Sequence, residues 1–261
     1  MTYVIAISNE KGGVAKTTTT LSVGASLVEL GHRVLLMDLD PQANLTLALG
    51  VEPGFAAVTS GHILIESASI SDARLTTDIE NLDLIPSHSS IEQAEQFLPV
   101  RSHYTLGIRQ ALDAAAPLDY DFVILDSPPF LGAITTNALS AADLAIIPTQ
   151  PEYFSAYALR NMMGLIRRVR QESNPGLGYR ILITLLDRRN RTHRNIHEQL
   201  RQAFGEGLFR TVIEVDTKLR ESPIVGLPIT RYRPGTRGSQ QYRELAQELV
   251  EYVQEKNQQT A

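Results

Sequence analysis

The chain has 261 residues, 43% of them hydrophobic, and can therefore bury the core of one large α/β domain. No apolar run approaches the roughly 18 residues of a membrane span, and the first residues lack the pattern of a signal peptide. Cysteine does not occur in the sequence, which excludes disulfides and thiolate metal sites. We therefore expect a soluble cytoplasmic protein.

The net charge of −5 is unevenly distributed along the chain. Residues 180–237 contain 12 Arg and Lys against 6 Asp and Glu, a local charge of +6. The rest of the chain contains 12 against 23, a local charge of −11. This asymmetry indicates an anionic partner for the basic segment, although an arginine-rich solvated surface would explain it as well.

Short apolar runs alternate with helical patterns along the chain. The runs typical of strands are 3–8, 33–38, 82–86, 122–126, 144–148, 181–185 and 209–213. The patterns typical of helices are 17–30, 104–115, 134–142, 153–172, 194–204 and 239–256. This order predicts a single α/β domain over residues 1–261, with a twisted, mostly parallel sheet covered by helices on both faces. Residues 51–80 have no firm period.

The first predicted strand leads into a glycine loop that contains two of the four lysines of the chain, Lys11 and Lys16. A strand, a glycine loop and a helix N-terminus form a phosphate cradle, because backbone N–H groups point inward and a lysine reaches the terminal phosphates. An ordinary glycine turn would explain neither lysine. The residues that we expect to bind nucleotide are Lys11, Gly12, Gly13, Val14, Ala15, Lys16, Thr17 and Thr18.

Acidic residues follow two of the predicted strands, Asp38 and Asp40 after the second and Asp126 after the fourth. Ligands of a parallel sheet bind beyond the carboxyl ends of its strands. A buried, unpaired carboxylate is costly, whereas one that faces a Mg²⁺–phosphate centre is compensated. We therefore predict Thr17 and Asp126 as the Mg²⁺ residues. Strand alternation points Asp38 and Asp40 the same way and does not separate their roles.

The lysine loop resembles that of the deviant Walker ATPases, and its surroundings resemble the ParA/Soj branch. The segments that carry this resemblance are 9–18, 34–42, 126–129, 137–139, 141–143, 221–223, 226–229 and 237–238, so it covers about residues 3–256. Glu10, in place of a glycine, belongs to the variant. Ala15 departs from the branch, and alanine is acceptable there only if the backbone is right-handed. The lack of cysteine excludes the nitrogenase iron protein and the iron–sulfur scaffold ATPases.

The resemblance implies a P-loop NTPase fold of the deviant Walker A class and hydrolysis of ATP to ADP and phosphate with Mg²⁺. It assigns water positioning to Asp40 and places Asp38 nearer to Mg²⁺ and Lys16. It also implies that Lys11 reaches the nucleotide of a second copy, so that two ATP molecules are sandwiched in a homodimer. The expected catalytic residues are Lys11, Lys16 and Asp40.

In the ParA/Soj family the ATP-bound dimer binds DNA without sequence preference and is released by hydrolysis. The resemblance therefore implies a nucleoid-associated protein that segregates a plasmid or chromosome, or positions another cargo. It also implies a ParB-like or cargo-adaptor protein that stimulates hydrolysis. We expect no N-terminal helix-turn-helix domain, since a strand begins at Tyr3. The expected DNA-binding residues are Arg189, Lys218 and Arg220, with Arg188, Arg191 and Arg194 as further candidates.

The main alternative is a MinD-like membrane-associated positioning ATPase, which needs a basic amphipathic helix. Residues 239–261 have an apolar stripe, but their charged side chains sum to −2, and anionic lipid repels an acidic helix. We therefore expect this stripe to pack on the sheet and expect no membrane partner. A small-molecule kinase or synthetase is a second alternative, for which only residues 51–80 could supply a substrate-binding insertion. His193 and His197 have the spacing of a metal pair, but a solvated helix face is the favoured interpretation.

Overall fold

Seven strands form one sheet in the structure, a computed structural model that describes residues 2–260, with side chains to residue 258. The strands are β1 (Tyr3–Ile7), β2 (Val34–Asp38), β3 (Leu75–Thr76), β4 (Leu82–Ile85), β5 (Phe122–Asp126), β6 (Leu144–Thr149) and β7 (Gly178–Ile183). Their order across the sheet is β3-β4-β2-β5-β1-β6-β7. Every neighbouring pair is parallel except β3 and β4. The predicted mostly parallel α/β fold is confirmed.

Helices cover both faces of this sheet, and all six predicted helical segments are present. The region without a firm period contains two short helices and the edge strand β3. The helices are α1 (Lys16–Glu29), α2 (Asn44–Ala48), α3 (Ser60–Glu66), α4 (Ile70–Ala73), α5 (Glu92–Phe97), α6 (Gly107–Ala114), α7 (Ala133–Ala141), α8 (Ser155–Glu172), α9 (Arg191–Phe204), α10 (Lys218–Glu221), α11 (Ile229–Tyr232) and α12 (Arg237–Thr260).

Strand side chains alternate between two hydrophobic cores, one on each face of the sheet. Leu35 and Val123 belong to the core that includes residues of α6, α7 and α8. Leu36 and Ile124 belong to the core that includes residues of α1 and α12. The apolar stripe of α12 lies in this second core, where Tyr242, Leu245, Leu249 and Val253 are buried. The expectation that the stripe packs inward is therefore confirmed.

One predicted strand, 209–213, does not form. Isolated bridges join its flanks, Leu208 and Glu214, to Ile181 and Leu186. The N–H groups of Phe209 and Ile213 donate to carbonyl oxygens of β7, but the residues between them form no continuous ladder. The reason lies in α12, because Glu248 accepts hydrogen bonds from the backbone N–H groups of Arg210 and Thr211 at 2.7 and 2.9 Å. Those amides are therefore bound to a side chain and do not join the strand ladder.

The central strands bring the functional carboxylates together. In the register of the sheet, Asp38 of β2 lies beside Asp126 of β5, and Asp126 lies beside Ile7 of β1. The loop between β1 and α1 begins directly after Ile7, at the carboxyl edge of the sheet. Parallel pairing of β2, β5 and β1 thus places both carboxylates next to the lysine loop.

Candidate functional site

The lysine loop ends in a left-handed residue that opens α1. Ala15 is the N-cap of α1, with φ 69° and ψ 35°, and its side chain makes no capping hydrogen bond. The expectation that this alanine requires a right-handed backbone is therefore wrong. Gly13 is also left-handed, with φ 75°. A non-glycine residue in this region costs about 1–2 kcal/mol, so the junction holds Ala15 in a strained conformation.

Lys16 is the first residue of α1 and is only 7% exposed. Its Nζ donates to the carbonyl oxygen of Lys11 at 3.2 Å, across the loop. Burial lowers the pKa of Lys16, and the charges of Asp126 and Asp40 oppose that shift. A lysine held in this way keeps its ammonium at the mouth of the loop, where the amides of the first turn of α1 point outward.

Lys11 is held on the other side of the loop. Its ammonium forms an ion pair with Glu152, in the segment between β6 and α8. Glu10 accepts hydrogen bonds from Nδ2 of Asn161 on α8, at 2.9 Å to Oε1 and 3.0 Å to Oε2. The backbone N–H of Lys11 donates to Oδ1 of Asn9 at 3.0 Å. Asn9, Glu152 and Asn161 were not among the predicted site residues. Glu152 and Asn161 lie 141 and 151 residues from their partners in the loop, so no local pattern indicates them.

Asp126 accepts hydrogen bonds from two hydroxyl groups of α1. Oγ1 of Thr17 donates to its Oδ2 at 2.7 Å, and Oγ1 of Thr20 donates to its Oδ1 at 2.9 Å. Complete burial raises the pKa of Asp126, while the two hydroxyls and the nearby Lys16 charge oppose that shift. The predicted pair of Thr17 and Asp126 is thus in direct contact. Thr20 was missed, because one threonine in a run of four carries no distinguishing signal.

Asp38 and Asp40 occupy different environments, although strand alternation did not separate them. Asp38 is fully buried and accepts from the N–H of Asp40 at 3.0 Å and from Thr46, at 2.9 Å from its N–H and 2.7 Å from its hydroxyl. Burial and the neighbouring charge of Asp126 raise the pKa of Asp38. Asp40 interacts electrostatically with Lys16. We expected Asp38 nearer to Lys16, but Asp40 is the residue on the lysine side.

The histidine pair does not form a metal site with other protein ligands. Nδ1 of His193 accepts a hydrogen bond from the N–H of Asp187 at 3.2 Å. Burial lowers the pKa of His197. Across residues 2–260 there is no group of three or more His, Cys, Asp or Glu side chains placed to hold a metal ion. The same residues contain no helix that is long and apolar enough to cross a membrane.

Comparison with known proteins agrees with this geometry. Residues 2–179 match the sequence profile of a family described as an AAA domain. The chain is 38% identical over 251 residues to the sporulation initiation inhibitor protein Soj of Bacillus subtilis, covering 96% of this chain and 99% of that protein. It is 36% identical over 249 residues to the chromosome partitioning protein ParA of Caulobacter vibrioides, covering 95% of this chain and 93% of that protein. The chain belongs to the ParA/Soj family.

Solved structures share the fold. Cobyrinic acid a,c-diamide synthase from Mycobacterium smegmatis, with a bound ATP analogue and magnesium, superposes with a TM-score of 0.83 at 34% identity, covering 97% of this chain and 96% of that one. The septum site-determining protein MinD of Pyrococcus horikoshii, complexed with Mg-ADP, superposes with a TM-score of 0.77 at 25% identity, covering 97% of this chain and 98% of that one. The predicted P-loop NTPase fold is confirmed.

The DNA-binding residues expected from the ParA/Soj resemblance lie on the loop after β7 and on the short helix α10. The N–H of Val215 donates to the carbonyl oxygen of Leu186 at 3.1 Å, which joins the loop after β7 to the segment before α10. Arg189, on the loop after β7, has a side chain that is 91% exposed. Lys218 and Arg220 lie on α10, where Lys218 is partly buried and Arg220 is exposed.

Of the three further candidates, Arg188 donates from Nε to Oε1 of Glu214 at 2.6 Å. Arg194 donates to the carbonyl oxygen of Arg188, also at 2.6 Å. Arg191 begins α9 and is exposed. Arg188 is therefore engaged in an internal contact with a nearly buried carboxylate.

Proposed function

We propose that this protein is an ATP-dependent positioning ATPase whose ATP-bound dimer binds DNA without sequence preference and is released by hydrolysis. The observation that carries this proposal is the convergence of Lys16, Thr17, Asp40 and Asp126 at the loop before α1, with a second lysine, Lys11, on its outer side. The first four residues would bind phosphate and metal. The second lysine, Lys11, is the residue that distinguishes the deviant Walker loop.

The residues of the loop fit ATP and Mg²⁺, which the synthase structure contains as an ATP analogue and magnesium. The amides of residues 12–18 and the ammonium of Lys16 would hold the phosphates. Thr17 and Asp126 offer a hydroxyl and a carboxylate oxygen 2.7 Å apart, the hard oxygen ligands that Mg²⁺ prefers. When bound, Mg²⁺ would neutralise charge on the β- and γ-phosphate oxygens. Burial of Asp126 is compensated in such a centre.

Asp40 is the residue that we assign to the attacking water. Its position after β2 places it near the charge of Lys16, and its Oδ1 accepts from the N–H of Gln42 at 2.9 Å. Burial raises the pKa of Asp40, which makes the carboxylate a better proton acceptor. Asp38, which accepts three hydrogen bonds from Asp40 and Thr46, instead holds the segment 40–46 against the end of β2.

The surface beside Lys11 supports a dimer. Glu152, the partner of Lys11, is followed by three aromatic residues: Tyr153, Phe154 and Tyr157 are 82%, 71% and 58% exposed. Adjacent exposed aromatic side chains are typical of protein interfaces. We infer that this patch and Lys11 face the second copy in the ATP-bound state. Lys11 would then exchange Glu152 for the nucleotide of the partner.

The basic residues on the loop after β7 and on α10 support binding to DNA rather than to a membrane. Phosphate contacts through Arg189, Lys218 and Arg220 would give affinity without base reading. The acidic helix α12 has its apolar stripe buried against α1, where Tyr242 and Thr19 share a hydrogen bond of 3.1 Å. Up to residue 258, where the described side chains end, this helix therefore offers no basic amphipathic surface to lipid. A ParB-like or cargo-adaptor protein would supply the stimulus for hydrolysis and the choice of cargo.

The nucleotide assignment is tested with Lys16→Ala and Lys11→Ala. We expect Lys16→Ala to abolish ATP binding in equilibrium titrations, because the contact to the β- and γ-phosphates is lost. Lys11→Ala should bind ATP but fail to dimerise in sedimentation experiments. Unchanged ATP affinity in Lys16→Ala would disprove the assignment of the loop.

The role of Asp40 in positioning the attacking water is tested with Asp40→Ala. This variant should bind ATP, dimerise and stay on DNA while hydrolysing about 10²–10⁴-fold more slowly, because only water positioning is lost. Hydrolysis at the wild-type rate would show that Asp40 has another role. Gel shifts with plasmid DNA and pelleting with anionic liposomes, both with ATP, then separate the proposed function from the MinD-like alternative.

A synthetase remains the second candidate, because the solved structure at 34% identity carries that name. Residues 51–80 are the segment that could supply a substrate-binding insertion, and part of this segment lines a cavity of about 690 Å³. The cavity is formed by residues within 63–71 and 98–115. These lining residues are all separate from the lysine loop and its carboxylates. ATP consumption that requires an added small molecule, and responds neither to DNA nor to a partner protein, would favour this candidate.

A further inference from the structure

Two of the three residues expected to contact DNA are already bound to carboxylates of the same chain. Arg189 donates to Asp187 from Nε at 3.1 Å and from Nη2 at 3.2 Å. Lys218 donates from Nζ to both carboxylate oxygens of Glu221, at 2.8 and 2.7 Å. A phosphate that approaches either cation therefore meets a competing anion that is already in place.

Both carboxylates are held in position by further hydrogen bonds. Oδ1 of Asp187 accepts from the N–H of Arg189 at 2.9 Å, and Oε2 of Glu221 accepts from the hydroxyl of Tyr232, also at 2.9 Å. The hydrogen bonds from Arg189 and Lys218 lower the pKa values of Asp187 and Glu221. Both groups therefore stay ionised at neutral pH, and the pairing persists under the conditions of DNA binding.

One ion pair lies on the loop after β7 and the other on α10, and the segments that lead to them are joined. Leu186, which bonds to Val215, directly precedes Asp187, and Asp216 accepts the N–H of Lys218 at 2.9 Å. Glu214 connects the same two segments a second time through Arg188, and it also binds Arg237 at the start of α12. The two paired cations therefore belong to one surface, and a DNA backbone that tracks this surface would meet both carboxylates.

We propose that Asp187 and Glu221 compete with DNA phosphate for Arg189 and Lys218 and thereby set the affinity of the protein for DNA. This inference rests on the proposed function. Exposed ion pairs are weak, and losing one changes an equilibrium by up to about 5-fold. Phosphate can therefore displace the carboxylates, but at a cost that weakens binding and favours release. Since a dimer presents two copies of the surface, the combined effect of one pair is up to about 25-fold.

The test uses Asp187→Asn and Glu221→Gln, which keep the oxygens that accept from Arg189 N–H and Tyr232 while removing the charge. Binding to a duplex of arbitrary sequence is measured by fluorescence anisotropy with a non-hydrolysable ATP analogue over a range of salt concentrations. Each variant should bind more tightly, by up to about 25-fold, and the double variant more tightly still. The slope of log K against log salt should steepen by up to about 0.9 for each freed cation.

The matched control is Glu198→Gln. Glu198 pairs with Arg201 at the same three-residue helical spacing as Lys218 and Glu221, and its loss changes the net charge by the same amount. If the affinity for DNA rises equally in Glu198→Gln, the effect comes from net charge alone and the inference is overturned. Tight ATP-dependent binding by the wild type, with no gain in Asp187→Asn or Glu221→Gln, would overturn it while leaving the proposed function intact. Failure of every variant to bind DNA would overturn both.

Discussion

Replacing Ala15 by glycine tests whether the lysine loop is formed before nucleotide binds. Ala15 has φ 69°, in the region where a Cβ atom costs about 1–2 kcal/mol. Glycine removes that cost, but it also makes the unfolded chain more flexible. The added flexibility lowers the gain in stability by about 0.4–1 kcal/mol. The net gain in the free energy of unfolding is therefore on the order of 1 kcal/mol. For a chain of this length, that gain raises the melting temperature by about 2 °C.

The assay is thermal unfolding of Ala15→Gly and wild type, each without nucleotide, together with ATP titrations. If the loop is already formed, the strain is present in both the free and the bound protein. The melting temperature should then rise, while the dissociation constant for ATP should stay unchanged. Gly13→Ala is the mirrored control, because Gly13 has φ 75° and an added Cβ would meet no atom within 4 Å. Gly13→Ala should lower the free energy of unfolding by about as much as Ala15→Gly raises it.

A melting temperature that stays level or falls in Ala15→Gly, while Gly13→Ala is destabilised, would refute the reasoning about strain. A different result would be tighter ATP binding with no gain in stability. That result would mean that the left-handed conformation forms only when nucleotide binds, contrary to the preformed loop of the structure.

Three further predictions concern the surroundings of the loop. Thr20→Val should weaken the Mg²⁺ dependence of nucleotide binding, because Asp126 loses one of its two hydroxyl donors, and Thr20→Ser should restore it. Tyr242→Phe should lower stability by about 1–2 kcal/mol in denaturant unfolding, since it leaves the buried hydroxyl of Thr19 unpaired, and adding Thr19→Val should recover part of the loss. Burial raises the pKa of Asp38 to about 7, so its charged form destabilises the fold above that pH, and the penalty fades toward the unfolded pKa near 4. The stability of Asp38→Asn relative to wild type should therefore be greater at pH 8 than at pH 5, in thermal unfolding without nucleotide or Mg²⁺. A stability difference between the two proteins that does not change with pH would contradict this assignment.

The phosphate site was readable from the sequence because its signals are local. Lys11 lies in the loop before α1 and Lys16 and Thr17 in its first turn, and Asp38 and Asp126 each end an apolar strand. Parallel strands bring such ends to one edge of a sheet, so the residues could be grouped before any contact was known.

The handedness of Ala15 could not be read, because side-chain type alone favours the other backbone region and the junction of β1 with α1 overrides it. The strand predicted at 209–213 failed for a related reason. Its apolar pattern is compatible with a strand, but Glu248 of α12 binds two of its amides from 38 and 37 residues away.

The sequence by itself determined the fold class, the phosphate loop and the strand-end carboxylates, since each depends on short-range pattern or on residue type. Only the tertiary structure decided which side chains hold those residues in place. Lys11 meets Glu152 across 141 positions, and Thr20 meets Asp126 across 106. It also showed that Arg189 is bound by a neighbouring carboxylate. A local charge count cannot show this, because the count adds charges without regard to which of them are paired.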